Sequence, residues 1–161
     1  MIVAHYIGNH AGDDLASRTG WWLTQLAQKG PFGNVTHTEA IHAQHLDGSV
    51  TIASSSLRDG GVRSKCVTLN PAHWLITDVG EWDVEHSKDL LAVTQGAKYD
   101  LRGAVATMLP GAPKAGRYFC NHWVSLPFLK AAAIFGPHHF AAICMTLGEH
   151  ITTEFFAERA V

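Results

Sequence analysis

The sequence predicts an α+β domain in which a small antiparallel sheet packs against one helix beginning at Cys120. Three observations predict it. Two β-prone runs, residues 35–43 and 49–56, flank the turn Leu46-Asp47-Gly48, which is a hairpin pattern. Residues 120–133 are largely apolar, as suits a helix buried in a core. The chain has 161 residues, 47% of them hydrophobic and 16% charged, which describes one ordered domain with a sizeable core. No internal repeat, linker or low-complexity stretch divides it, so residues 1–161 form a single domain.

The elements follow in order. Residues 2–7 read as a short strand, and residues 8–14 as a polar turn ending in the N-cap candidates Asp13 and Asp14. Leu15, Trp22, Leu23 and Leu26 lie at helical spacing, so residues 15–29 read as an amphipathic helix stopped by Gly30-Pro31. After the hairpin, residues 58–63 form a glycine turn, residues 66–69 a strand, and residues 73–79 another strand beyond Asn70-Pro71. Residues 81–96 fit a second helix. Residues 99–103 open a segment that includes residues 104–109 and fits a third helix, broken by residues 110–113. The apolar run from Cys120 must kink or restart at Pro127. The tail, residues 140–160, reads as strand or helix on the core, and Trp74, Trp82 and Trp123 read as core anchors.

Composition excludes several classes. A formal net charge of −2 with no basic run argues against nucleic acid as a partner. No apolar run reaches the ~18 residues of a membrane span. Cys66, Cys120 and Cys144 are odd in number and far apart, which is neither a disulfide framework nor a zinc ribbon. The N-terminus lacks the basic and long apolar regions of a signal peptide, so synthesis in the cytoplasm is expected. Eleven histidines are the oddity. His42 and His45 flank a turn, and His138-His139 are adjacent, but no carboxylate repeats at ligand spacing. Neither a metal nor a cofactor is expected.

Chemistry concentrates at the junction Arg117-Tyr118-Phe119-Cys120-Asn121-His122-Trp123, where a loop runs into a helix. Backbone N–H groups and the positive end of the helix dipole favour thiolate there, and the same N–H groups can receive an oxyanion. Burial as a plain apolar cysteine is the alternative. A nucleophilic thiol needs a base, and His37 at the start of a strand is the candidate. A third group would orient its ring. Antiparallel pairing across the hairpin places Ser54–Ser56 near His37, so Ser54 is one choice; Glu39, on the same strand face as His37, is the other.

The order of these parts resembles the permuted NlpC/P60 superfamily of papain-like cysteine hydrolases, in which histidine precedes cysteine. That group includes YiiX-like and lecithin:retinol acyltransferase-like proteins and phage or secretion-effector relatives. The resemblance rests on Val35-Thr36-His37-Thr38-Glu39-Ala40-Ile41, on Ile52-Ala53-Ser54-Ser55-Ser56 with Gly60-Gly61-Val62, on Lys98-Tyr99-Asp100, and on Phe119-Cys120-Asn121-His122-Trp123-Val124. Asn121-His122 departs from the Ser-Glu usual after the cysteine, and Ser54 stands where YiiX-like members carry glutamate.

The resemblance implies a papain-like fold, with Cys120 as nucleophile, His37 as base and Ser54 (or Glu39) as third residue. It implies amide hydrolysis in bacterial cell-wall peptides, with delivery to the envelope by a phage or effector route. An effector of that kind would have an inhibitor or immunity protein as partner. A lipid-directed thioesterase or acyltransferase, with residues 131–135 lining an acyl groove, is the second reading; a non-catalytic binding module of the same fold is the third.

Overall fold

The hairpin expected around Asp47-Gly48 supplies the second and third strands of a six-stranded antiparallel sheet. A computed structural model of the chain describes residues 1–7, 35–80, 84–107, 114–129 and 137–151. The strands are β1 (Ile2–Tyr6), β2 (His37–Gln44), β3 (Val50–Ser56), β4 (Gly61–Val67), β5 (Trp74–Asp78) and β6 (Glu149–Ile151). They lie in the order β4-β3-β2-β1-β5-β6, every neighbouring pair antiparallel. At the β2–β3 turn Gly48 takes a φ of 79°, and the Ser49 N–H donates to Asp47 Oδ1 at 2.9 Å. A bulge between Ile41 and Ala43 adjusts the register beyond it.

Two boundaries differ from the sequence reading for physical reasons. β4 begins at Gly61, inside what reads as a glycine turn. A Cβ on Gly61 would strike the Ala97 carbonyl, and Val62 N–H donates to that same carbonyl at 2.8 Å. The glycine thus lets residues 96–98 lie against the strand, and pairing starts earlier. The tail supplies both a helix and the sixth strand, so the sheet is wider than expected.

Four helices stand among the described residues: α1 (Val84–Thr94), α2 (Leu101–Ala106), α3 (Cys120–Leu129) and α4 (Pro137–Leu147). Asp100 caps α2 by accepting from Gly103 N–H at 2.9 Å, which fixes the start of that helix at Leu101. Pro137 opens α4, a position where its missing N–H costs nothing. Pro127 lies inside α3, which runs on to Leu129 without restarting. The expected helix at 15–29, Trp82 and residues 131–135 lie outside the described residues.

The register explains why α3 sits where it does. Ala40 pairs with Ala53, and both pack in one cluster with Trp123 and Val124 of α3. Two small residues side by side leave room for the fully buried indole of Trp123. Its Nε1–H donates to Thr94 Oγ1 at 2.9 Å, tying α3 to α1. Val3, Val62, Phe140 and Cys144 complete that cluster. Side-chain alternation puts Ala4, Ile41, Ile52 and Ile76 in a second cluster on the other face. Among the described residues no helix is long and apolar enough to cross a membrane.

Candidate active site

β2 and α3 both begin at the same end of the sheet, and their first residues are His37 and Cys120. The Cys120 side chain lies within hydrogen-bonding range of the His37 ring. His37 Nε2 also meets Glu39 Oε1 at 2.7 Å, so Nδ1 is the nitrogen left for the thiol. Glu39 reaches the ring because it stands two residues along the same strand, on the same face. Its side chain is 2% exposed, and that of His37 is 21% exposed.

A buried carboxylate needs partners, and Glu39 has two. Arg63 on β4 grips it bidentately, with Nη1 donating to Oε2 at 2.7 Å and Nη2 to Oε1 at 2.5 Å. β3 lies between those strands. Ser54 is the residue paired with Arg63, and its small side chain leaves the guanidinium a path across β3 to Glu39. Arg63 Nε donates in turn to Asp59 Oδ2 at 2.6 Å, and Lys65 reaches the same oxygen at 3.2 Å. The chain of contacts therefore runs from the β3–β4 turn to the sulfur.

Electrostatics follow from this order. Burial presses the His37 imidazole toward neutrality, but the Glu39 charge and the bonds to Cys120 and Glu39 outweigh it, raising the pKa to about 9. Burial opposes the Glu39 charge too; His37 and Arg63 overcome that and hold its carboxyl at about 2. At neutral pH the pair is imidazolium and carboxylate. Burial, then the charges of Cys120 and Asp100, push the Tyr99 phenol well above its ordinary value.

The thiol is 4% exposed and is also held at 3.6 Å from Asn121 Oδ1, an acceptor from the first turn of α3. The backbone leading into that turn is anchored twice. Ser55 Oγ–H donates to the Tyr118 carbonyl at 2.6 Å, and Asp100 N–H donates to the same carbonyl at 2.8 Å. Phe119 accepts the first helical bond, from Trp123 N–H at 3.0 Å. The N–H groups of the first turn have no carbonyl four residues back within the helix. His122 lies against the rings of Tyr118 and Phe119, with centroids 5.6 and 5.4 Å away.

Ser54 does not orient the ring. Its Oγ is buried and makes no hydrogen bond, to His37 or to any other described group. The strand pairing puts it beside Arg63, and Glu39 fills the place expected of it. The two histidines that flank the β2–β3 turn are engaged singly. His42 Nε2 pairs with Ser87 Oγ at 2.8 Å, and His45 Nε2 with Thr51 Oγ1 at 2.8 Å. His139 lies on α4. Among the described residues no group of three His, Cys, Asp or Glu side chains could hold a metal ion. Sequence reasoning missed Arg63 because it placed that residue in a turn; a cation two residues past the turn glycine, on an extended strand, was the available signal.

A depression of about 470 Å³ is lined by Met1, His42, Gln44, Asp78 and Val84 at the far end of β2. It contains neither His37 nor Cys120 and takes no part in this arrangement. Comparison of the chain with protein-family profiles, with curated proteins and with solved structures finds no match.

Proposed function

We propose that this protein is a thiol-dependent acyl-transfer enzyme. One observation carries the reading: a single imidazole bridges a cysteine at a helix start and a buried carboxylate held by arginine. That is the nucleophile, base and orienting group of covalent acyl transfer, each within reach of the next. More particularly, we propose an amide hydrolase of the permuted NlpC/P60 type, acting on bacterial cell-wall peptides. The His-before-Cys order and the quoted motifs support that narrower reading.

In this mechanism His37 holds the proton of the Cys120 thiol while the sulfur attacks the amide carbonyl. The developing oxyanion meets the Cys120 backbone N–H. The C–N bond breaks, the amine leaves with the proton from His37, and a thioester remains. Water then attacks the thioester as His37 takes its proton; the C–S bond breaks, the acid departs and the thiol is restored. Throughout, Glu39 keeps the imidazole oriented and stabilises its protonated form.

The test is reactivity. Near neutral pH, iodoacetamide should label Cys120 faster than the exposed Cys66 and the buried Cys144, and His37→Ala should slow it at least tenfold. Purified peptidoglycan and a panel of acyl esters then divide amide from ester chemistry by the products released. Labelling of all three thiols alike, and only after unfolding, would end the enzyme reading.

A further inference from the structure

The backbone that frames Cys120 is unusually rich in cations. Lys98 and Arg102 lie on one segment and Lys114 and Arg117 on the next, which leads straight to the cysteine. These segments are bound together. Tyr118 N–H donates to the Lys98 carbonyl at 3.3 Å, Asp100 N–H to the Tyr118 carbonyl at 2.8 Å, and Lys114 N–H to Asp100 Oδ2 at 2.7 Å. Lys98 also bridges to Gly61 at the start of β4. Lys98, Arg102 and Lys114 are exposed and Arg117 is half-buried. None of the four makes an ion pair among the described residues.

Among the described residues the nearby acids offset only part of this charge. Asp100 is 1% exposed; its carboxylate accepts from the neutral N–H groups of Gly103 and Lys114 and keeps its charge, which offsets one of the four. Asp59 is taken by Arg63 and Lys65, and Glu39 by Arg63 and His37. A chain whose net charge is −2 thus carries, among the described residues, a local excess of three positive charges, four cations less Asp100, on the segments that lead to one thiol. Left unpaired, such charges repel one another and raise the local concentration of anions.

We propose that this rim is a binding site for an acidic peptide, so that the amide presented to Cys120 is flanked by carboxylates. The inference deepens the hydrolase reading and rests on it for the bond that is cut, though not for the binding. A peptide is favoured over nucleic acid on two grounds. A nucleic acid offers no acyl carbon to a thiol, and the overall negative charge of the chain disfavours a long polyanion. The size of the effect follows from reach. Arg117 lies three residues from Cys120, at most about 11 Å along the backbone. One unit charge at that distance in water changes the local concentration of a monoanion about twofold when salt is low.

The experiment has two arms. In the first, Cys120→Ala protein is titrated with a pentapeptide amide containing three Glu, with its Gln counterpart, and with a single-stranded oligonucleotide. At about 10 mM salt the Glu peptide should bind at least tenfold tighter than the Gln peptide. Its advantage should vanish at about 1 M salt and in a Lys114→Glu/Arg117→Glu variant. In the second arm the protein with Cys120 intact is alkylated by iodoacetate and by iodoacetamide, with Cys66 as the reference thiol. The anion-to-neutral rate ratio at Cys120 should fall about fivefold to tenfold in the charge-reversed variant. Equal binding of the Glu and Gln peptides, tighter binding of the oligonucleotide, or a ratio unchanged by charge reversal would each overturn the proposal. Selective binding of the Glu peptide by a protein that cleaves no amide would leave the rim standing and remove the hydrolase reading.

Discussion

Glu39→Gln isolates the electrostatic part of the site. Glutamine keeps the size of the side chain and an oxygen for the ring, removes the charge, and gives up the acceptor that Oε2 offers Arg63 Nη1. In the native protein the burial of His37 is more than offset by Glu39 and Cys120, and the imidazole sits about 2.5 pH units above its ordinary 6.5. That difference corresponds to about 3 kcal/mol of preference for the protonated ring, and the Glu39 charge is its largest favourable source. Without that charge burial regains the upper hand, and the His37 pKa should drop by at least about two units. The assay is the ring Cε1–H titration by NMR, with the resonance assigned from His37→Gln. The pH profile of Cys120 alkylation by iodoacetamide should shift with it. Stability responds in a defined window. A raised histidine contributes fully below pH 6.5 and loses its contribution as pH climbs through about 9, so that dependence should disappear in the variant. A midpoint that stays within half a unit of 9 in Glu39→Gln would show that the carboxylate does not govern the imidazole.

Three further outcomes are expected. Arg63→Met leaves a carboxylate that is 2% exposed with His37 as its one remaining partner among the described residues, and should cost about 3 kcal/mol in urea unfolding at pH 7. The Glu39 contribution, present above pH 4.5 and lost through about 2 in the native protein, should then fade at higher pH. Ser54→Ala removes a buried hydroxyl without a partner, so stability should hold or rise by about 1 kcal/mol, with Cys120 alkylation unchanged within twofold; a tenfold loss of rate would restore Ser54 to the mechanism. Burial holds His5 neutral down to about pH 3, with Nδ1 at 3.1 Å from Thr38 Oγ1 and the ring edge-on to Phe140. The unfolded chain takes up that proton near 6.5, so stability should fall as pH drops below 6.5, by up to about 1.4 kcal/mol per unit for this residue. The lowered pKa values of His42 and His122 add to the slope with the same sign, and His5→Leu should reduce it in urea unfolding between pH 7 and 5.

Much of the scaffold was legible because its signals are local. The Asp47-Gly48 hairpin, the strand at residues 2–7 and the start of a buried helix at Cys120 each follow from a few adjacent residues. The early start of β4 was not legible, since Gly61 reads as a turn residue until the Ala97 carbonyl is placed against it. The tail was ambiguous for a related reason. β6 is only three residues long, and it pairs with β5 from the far end of the chain.

The amino-acid order by itself determined which chemistry was available: a cysteine entering an apolar helix, a histidine opening a strand, and a carboxylate two positions behind it. What only the tertiary structure decided was the division of labour among them. Whether Ser54 or Glu39 serves the imidazole depends on which side chain an arginine two strands away can reach and charge-stabilise. That contact is set by strand register and by the cost of an unpaired buried charge, and neither can be read from residues that are neighbours in sequence alone.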